Sequence, residues 1–431
     1  MVWAIAARLR LLSGQIVKYK ENVMAVKTVM DRVKEVRKLG YPVYDADGHY
    51  YETADAFRRH LPKKFHKDFQ YVQVEGRTKL AINGYISEYI PNPTFDVVAA
   101  PGSHEIWYRS ENWDGKTLRE LTGDALAYQS EFSNPETRLN LLDEQGVHAQ
   151  LIFPTLASVI EGHMGTNIEL MAACVHSLNA WVADDWTFNY QDRLFPCAYI
   201  SLADVDLACQ ELDWALQHGA RHVLIRPAPV PGLFGPRSPG LPEFDKFWAK
   251  VNEAKIFVVL HVSDSGYDQI YRWWGTSGSK EMLAFDRSDP LKACIDSQGR
   301  AISDMISALI AHGVMTRFPN IRWVSAENGS IWVPHLMHML RRAYGQMPKS
   351  FTRDPVETFQ ECVYVAPYYE EDLDDLKQYI SASRILFGSD WPHPEGLQLP
   401  LDYINEVKNF TSAEQEMFMS SNLKGLLEGK R

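Results

Sequence analysis

Short apolar runs alternate with helix-period segments from residue 41 onward. Such runs, rich in β-branched residues and bounded by turn residues, predict buried strands. The helix-period segments between them include 135–145, 168–186, 204–218, 244–254, 302–312 and 371–380. Strands that are joined by helices are expected to be parallel neighbours with right-handed crossovers. The predicted strands are 43–47, 149–156, 194–202, 222–227, 256–262, 321–327, 362–367 and 384–390.

Eight strand–helix units in an α/β chain of this length predict a (β/α)8 TIM barrel. An open doubly wound sheet is the alternative, but it normally has a glycine-rich phosphate turn after its first strand. The DADGH motif at 45–49 is not such a turn. Residues 1–40 predict an N-terminal helical arm before the domain at 41–431, although Met24 is a possible natural start.

Two segments are longer than an ordinary connection, 50–134 after strand 1 and 263–299 after strand 5. Both leave the carboxyl ends of strands, where barrel enzymes build their sites. We therefore expect these insertions to be lids or substrate walls, with oligomer contacts as the alternative. The second insertion contains Trp273 and Trp274, which we expect to contact substrate.

Composition and charge exclude several classes of protein. The net charge is −11 and no concentrated basic surface is evident, which argues against a nucleic-acid partner. No apolar stretch reaches 18 residues, so no membrane span is expected. The five scattered cysteines suggest reduced core thiols in a cytoplasmic protein. Twelve tryptophans and 20 tyrosines suit an organic-substrate pocket or the interface of a homo- or hetero-oligomer.

Polar residues recur where the predicted strands end, at Asp47 and His49, Arg226, His261, Glu327 and Asp390. In a barrel these ends converge, so imidazoles and carboxylates from different strands could share one divalent metal ion. Each residue also has an ordinary interpretation, such as a turn aspartate, a core histidine or, for Arg226, a structural salt bridge. Without a metal, all of these ordinary interpretations would have to be true at the same time. The metal hypothesis is therefore favoured.

Eight stretches match one family in order along the chain: 45–52 (DADGHYYE), 138–146 (RLNLLDEQG), 151–155 (LIFPT), 225–227 (IRP), 261–267 (HVSDSGY), 317–319 (RFP), 327–332 (ENGSIW) and 387–396 (FGSDWPHPEG). On these motifs the chain resembles the amidohydrolase-related family, the branch that includes aminocarboxymuconate-semialdehyde decarboxylases. The resemblance spans roughly residues 41–428. It implies a (β/α)8 barrel whose metal-binding positions are Asp47, His49, His261 and Asp390.

The chain departs from the superfamily's usual pattern at two places. Asp47 replaces the first histidine of a His-x-His pair, and Glu327 stands where many members have histidine. This oxygen-rich set would accept Zn²⁺, Mn²⁺ or Fe²⁺. If Glu327 and His393 point inward, six ligands could hold two metals. Otherwise Glu327 supports a ligand histidine and His393 lies on an outward loop.

The leading functional hypothesis is hydrolysis of an amide, ester or carbon–carbon bond in a small organic acid. Asp390 would be the general base for a metal-activated water, and Arg226 would bind the substrate carboxylate. Three alternatives stay open: metal-dependent decarboxylation, oxygen activation at a two-metal iron or manganese site, and a non-catalytic partner subunit that keeps a structural metal.

Overall fold

Two parallel β-sheets form the centre of the computed structural model, which describes residues 39–87, 89–90, 92–232, 234–274, 290–295 and 297–430. The predicted N-terminal arm lies almost wholly outside these residues, as do 275–289 in the insertion predicted at 263–299. The strands are β1 (Tyr44–Tyr50), β2 (Phe69–Val74), β3 (Arg77–Ile82), β4 (Tyr85–Ser87), β5 (Val97–Val98), β6 (Leu126–Ala127), β7 (Ala149–Pro154), β8 (Leu194–Pro196), β9 (Ala198–Tyr199), β10 (His222–Ile225), β11 (Phe257–His261), β12 (Arg322–Ala326) and β13 (Val363–Val365).

The central strands are parallel and follow one another in chain order. One sheet has the order β1-β7-β8, and the other has the order β13-β12-β11-β10-β9. Every residue of β1, β7, β10, β11 and β12 is buried. Parallel strands that are covered on both faces read as continuous apolar runs, which explains why the sequence pattern located them.

The third predicted strand, 194–202, proves to be two short strands, β8 and β9. Cys197 lies between them, and its N–H donates to the Ile152 carbonyl of β7 at 3.0 Å. Three residues later, the Ile200 N–H donates to the Leu224 carbonyl of β10, also at 3.0 Å. The segment therefore passes from one sheet to the other, which interrupts its pairing.

The eighth predicted strand, 384–390, forms isolated pairings instead of a ladder. Ile385 bridges Val365 of β13, and the Ala46 N–H of β1 donates to the Phe387 carbonyl at 2.8 Å. The Phe387 N–H donates to the Phe418 carbonyl, outside the sheets, so it cannot extend a ladder. Asp390 then has a left-handed backbone conformation with φ 56°, which ends the extended segment.

The helices pack around the sheets, and several of them begin at a side-chain cap. Asn134, Asp204 and Asp354 each accept hydrogen bonds from first-turn N–H groups of the helix that follows them. The helices are Glu105–Tyr108, Leu118–Thr122, Pro135–Gln145, Ile160–Met164, Ile168–Asp185, Val205–Gln217, Asp245–Ala254, Asp268–Trp274, Pro290–Cys294, Ser297–Ala311, Val314–Arg317, Trp332–Gln346, Pro355–Cys362, Leu373–Leu376, Ser412–Glu416 and Asn422–Leu427. No helix in the described part of the chain is long and apolar enough to cross a membrane.

The segment between β1 and β7 contains small antiparallel units of its own. Strands β2, β3 and β4 form one sheet, and β5 pairs with β6. The same segment reaches the loop that follows Asp390, since the Gly102 N–H donates to the His393 carbonyl at 3.3 Å and the His104 N–H donates to the Pro394 carbonyl at 2.9 Å. This segment therefore borders the carboxyl ends of the parallel strands.

Candidate metal centre

Strand β1 brings Asp47 and His49 to one place because residues two apart on a strand point to the same side. Both are buried, with side-chain exposures of 5% and 2%. Gly48 separates them, and a Cβ added there would lie 2.2 Å from the Gln150 side chain of β7. A larger residue here would have to displace the Gln150 amide, which is itself held by two buried hydrogen bonds, so the DGH spacing reflects packing as well as chemistry.

Three further candidate ligands come from other strand ends. His261 is the last residue of β11, Glu327 follows β12, and Asp390 ends the segment at 384–390. Glu327 and Asp390 both have left-handed backbones, with φ 52° and 56°. Non-glycine residues adopt this conformation rarely and at a cost, and such residues concentrate at functional sites.

The candidate ligands converge within a few ångströms. His49 Nε2 lies 3.3 Å from Asp47 Oδ1, from Glu327 Oε2 and from Asp390 Oδ1. His261 Nε2 lies 3.5 Å from Asp47 Oδ1 and 3.1 Å from Glu327 Oε2. Two groups of four residues have ligand atoms within 4.8 Å of one another, and both groups contain His49 and Glu327. The first group is Asp47, His49, His261 and Glu327. The second group is His49, Glu327, Asp390 and His393.

Several of these buried atoms make no hydrogen bond to the described protein. They are Asp47 Oδ1, both ring nitrogens of His49, and His261 Nε2. An unsatisfied buried polar atom costs about 1–3 kcal/mol, so four of them at one place require an explanation. A divalent cation that accepts a lone pair from Asp47 Oδ1, from one nitrogen of His49 and from His261 Nε2 would explain three of the four. The residues therefore fit a metal ion, and their oxygen and imidazole donors suit Mn²⁺, Fe²⁺ or Zn²⁺.

The charges at the site also favour a cation. Burial lowers the pKa of an imidazole, but the carboxylates of Asp47 and Glu327 outweigh burial and raise the pKa of His261 to about 10. Burial would raise the pKa of Glu327, yet the two histidines hold it below its usual range. This part of the site therefore attracts positive charge.

The pKa of Asp390 is shifted in the opposite direction to that of Glu327. Burial, together with the Glu327 and Glu395 carboxylates, raises the pKa of Asp390 well above its usual value. A carboxyl group whose pKa is raised can take up and release a proton nearer neutrality than an ordinary aspartate can. The pKa values of the neighbouring groups Glu327 and Asp390 therefore differ. This difference suits Glu327 to remain a charged carboxylate and Asp390 to exchange a proton.

A buried hydrogen-bond network holds β1 in place beneath the site. Asp45 accepts from the Asp47 N–H at 3.1 Å, from Gln150 Nε2 at 2.8 Å and from the Ser389 N–H at 2.9 Å. Arg138 donates to Gln150 Oε1 at 3.0 Å and to the His49 carbonyl at 2.5 Å. Sequence reasoning did not assign these residues a role, although Asp45, Arg138 and Ser389 lie within the motifs that carry the resemblance.

A cavity of about 860 Å³ opens over the candidate ligands. Asp47, His49, His261, Glu327, Asp390 and His393 all lie on its wall. The segment between β1 and β7 and the loop after β13 supply much of the remaining wall, including Tyr51, Tyr89, Phe95, Tyr108, Tyr368 and Tyr369. A volume of this size accommodates an organic molecule of moderate size.

The predicted substrate-binding residues are not among the described residues that line the cavity. Arg226 Nη1 is 3.7 Å from Glu161 Oε2, and Arg226 is not among the described residues that line the cavity. This ion pair corresponds to the structural alternative considered for Arg226. Trp273 and Trp274 end the helix Asp268–Trp274 with exposures of 71% and 73%, and the described cavity wall does not include them. Four of the aromatic residues on that wall, from Tyr51 to Tyr108, come from the insertion at 50–134 that the sequence predicts to be a lid or substrate wall, and Tyr368 and Tyr369 follow β13.

Comparison with known proteins identifies the family. The sequence model of the amidohydrolase family matches residues 45–422 of the chain. An amidohydrolase of Mycobacterium avium subsp. paratuberculosis K-10, known from its crystal structure, is 39% identical to this chain. That match covers 90% of this chain and 100% of the other with a TM-score of 0.85. Comparison with curated proteins yields no match.

Solved decarboxylases share the fold at lower identity. The 2,6-dihydroxybenzoate decarboxylase from Rhizobium is 20% identical with a TM-score of 0.54, over 74% of this chain and 94% of that one. The 5-carboxyvanillate decarboxylase from Novosphingobium aromaticivorans DSM 12444, solved with manganese and 4-hydroxy-3-methoxy-5-nitrobenzoic acid, is 12% identical with a TM-score of 0.57, over 90% and 96%. The family match and the 39% identical structure confirm the resemblance inferred from the motifs: the chain belongs to the amidohydrolase family.

Proposed function

We propose that this protein is a metal-dependent hydrolase that cleaves an amide, ester or carbon–carbon bond in a small organic acid. One observation carries the proposal: buried carboxylates and imidazoles from separate strand ends converge at the floor of one cavity, with several ligand atoms lacking a hydrogen-bond partner among the described residues. Asp47, His49, His261 and Glu327 would hold the first metal, with Asp390 beside them. If a second metal binds, His49 and Glu327 are common to both ligand groups.

The proposed mechanism assigns the proton transfers to Asp390. A bound divalent ion supplies Lewis acidity, which lowers the pKa of a coordinated water from about 15.7 toward 7. The Asp390 carboxylate accepts the proton of the attacking water and then returns it to the leaving group. Glu327 keeps its negative charge, because His261 and His49 hold its pKa low, and so balances positive charge at the site. Arg226 and the two exposed tryptophans stay predictions as substrate-binding residues.

Decarboxylation of an aromatic acid is the second candidate. It is favoured by the solved neighbours, which include the dihydroxybenzoate and carboxyvanillate decarboxylases. In that reaction Asp390 in its acid form would protonate the carbon that loses CO2, a role that its raised pKa also suits. Both candidates use the same metal and the same aspartate, so the products must distinguish them.

We also infer that the parallel strands close into a (β/α)8 barrel through the segment at 384–390. The bridge between Val365 and Ile385 on one side, and the hydrogen bond from Ala46 to Phe387 on the other, support this closure. In such a barrel the ligands would occupy the carboxyl-end face, where barrel enzymes carry their chemistry.

The experiment is an assay of metal-loaded protein against amides, esters and hydroxybenzoic acids, with hydrolysis products and released CO2 measured together. Hydrolysis without CO2 supports the first proposal, and CO2 release supports the second. Asp390→Asn should lower kcat by about 10²–10⁴-fold, the usual contribution of a general base or acid. Normal turnover by this variant, or turnover by metal-free protein, would contradict both. Turnover that stops without oxygen would also contradict both.

A further inference from the structure

His393 differs from the other histidines of the site because both of its ring nitrogens are hydrogen-bonded within the protein. Nδ1 lies 2.8 Å from Asp390 Oδ1, and Nε2 lies 3.2 Å from Thr155 Oγ1. We propose that His393 orients Asp390 instead of ligating a metal, and that Thr155 is a positioning residue that sets the ring of His393. The proposal rests on the metal site of the proposed function.

The hydroxyl group of Thr155 determines which nitrogen of His393 carries hydrogen. Thr155 Oγ1 lies 3.0 Å from the Tyr50 carbonyl oxygen, which can only accept, so the hydroxyl hydrogen points there. Toward His393 the same oxygen can then act only as an acceptor. Nε2 must therefore carry hydrogen and donate. Nδ1 then accepts the hydrogen of the Asp390 carboxyl group across the 2.8 Å contact, and transfer of that hydrogen to Nδ1 leaves the carboxylate that the hydrolytic step uses.

The ring of His393 is held from several directions. It packs against His49 with a centroid distance of 4.0 Å and a tilt of 32° between the rings, and the Tyr51 ring lies 5.8 Å away at the same tilt. The His393 N–H donates to the Asp390 carbonyl at 2.9 Å, which closes the turn between the two residues. To reach a metal, the ring would have to give up a hydrogen bond.

His261 shows the contrasting pattern of a metal ligand. Its Nδ1 donates to the Val262 carbonyl at 2.9 Å, while its buried Nε2 makes no hydrogen bond to the described protein and points among the carboxylates. One nitrogen that is anchored by a carbonyl and one that is open is the usual arrangement of a ligating histidine. His49 also presents an open Nε2. His393 lacks an open nitrogen.

The first test compares one substitution at three positions. His393→Phe, His49→Phe and His261→Phe each keep an aromatic ring and remove both nitrogens. Each protein is stripped with chelator, loaded with Mn²⁺ and with Zn²⁺, and analysed for bound metal and for Kd. We expect His49→Phe and His261→Phe to lose the metal. His393→Phe should keep the wild-type stoichiometry at saturation, with Kd weakened by no more than about 100-fold, the range for an outer partner of a ligand.

Loss of metal from His393→Phe to the same extent as from His49→Phe would overturn the proposal. A wild-type protein that binds no metal would instead contradict the proposed function. The contact between Thr155 and His393 would then still be tested by the second measurement, because that measurement needs neither metal nor turnover.

The second test reads the protonated nitrogen directly. Protein labelled with ¹⁵N-histidine is examined by NMR without metal, and the His393 signals are assigned by their disappearance in His393→Phe. The wild type should show hydrogen on Nε2. Thr155→Val, which replaces the hydroxyl by a methyl group, should remove this single form, and Thr155→Ser should restore it. An unchanged His393 spectrum in Thr155→Val, with the same melting temperature as the wild type, would overturn the role of Thr155.

Discussion

At the residue scale, the same side-chain type has different roles according to what surrounds it. His261 lies between carboxylates that raise its pKa to about 10 despite burial. His222 is equally buried but lies between Phe257, stacked at 5.0 Å, and Phe153, and neither ring nitrogen has a partner among the described residues. Burial alone then lowers the pKa of His222 to about 3. His261 thus belongs to the site, whereas His222 is a core residue.

This contrast predicts a pH-dependent stability that is due to His222. An unfolded histidine has a pKa near 6.5. Between about pH 6.5 and 3, His222 is therefore protonated in the unfolded chain but not in the folded chain. The free energy of unfolding should fall with decreasing pH across this window, by up to about 1.4 kcal/mol per pH unit. His222→Phe should abolish this loss. Urea unfolding of both proteins at a series of pH values measures it, and parallel curves would show that His222 does not contribute.

At the element scale, close approach of the segment at 384–390 to β1 positions the site. A Cβ added at Gly388 would lie 2.7 Å from the Asp47 Cβ, and one at Gly48 would meet Gln150 at 2.2 Å. The Asp390 N–H donates to the Asp47 carbonyl at 2.8 Å between the same two segments. Elements that meet this closely transmit any displacement directly to the ligands.

A pair of glycine substitutions tests this packing. Gly388→Ala should push Asp47 away, lower the free energy of unfolding by about 1–3 kcal/mol and weaken metal binding. The matched control is Gly345→Ala in the helix Trp332–Gln346, where a Cβ meets nothing within 4 Å. That change should stabilise by about 0.5–1 kcal/mol, since alanine is the better helix former. Equal effects of the two substitutions on metal Kd would contradict a specific role for the contact.

At the scale of the whole molecule, the candidate ligands connect distant parts of the chain. Asp47 and Asp390 are more than 300 residues apart in sequence, and His261 and Glu327 come from adjacent strands between them. A metal that is held by Asp47, His261 and Glu327, with Asp390 beside it, would favour the folded state only, because the unfolded chain does not hold the ligands together.

Metal removal should therefore lower the thermal stability. At a free metal concentration of about 100 times Kd, binding contributes about 2.7 kcal/mol, or about 3 °C in Tm for a chain of this size. Differential scanning calorimetry after chelation, and again after Mn²⁺ or Zn²⁺ is restored, measures the change. His261→Ala should melt at the same temperature with and without metal. A metal-dependent rise in Tm in that variant would place the binding elsewhere.

The sequence alone predicted the parallel α/β architecture, the family and the residues at the strand ends. It could do so because fully buried strands are continuous apolar runs, and because a polar residue that ends such a run is conspicuous. Asp47, His49, His261, Glu327 and Asp390 were each recognisable in this way, and His393 entered through the motif at 387–396. Their convergence to within a few ångströms, and the separate roles inferred for Glu327 and His393, became visible only in three dimensions.

The tertiary structure decided what depends on contacts between remote segments. It turned Arg226 toward Glu161, left Trp273 and Trp274 exposed, split the third strand at Cys197 and reduced the eighth to isolated pairings. Periodicity carries no information about which buried acid meets an arginine or which sheet an N–H group joins. Local pattern therefore identified the elements and the candidate ligands, while packing between elements determined how those residues can work together.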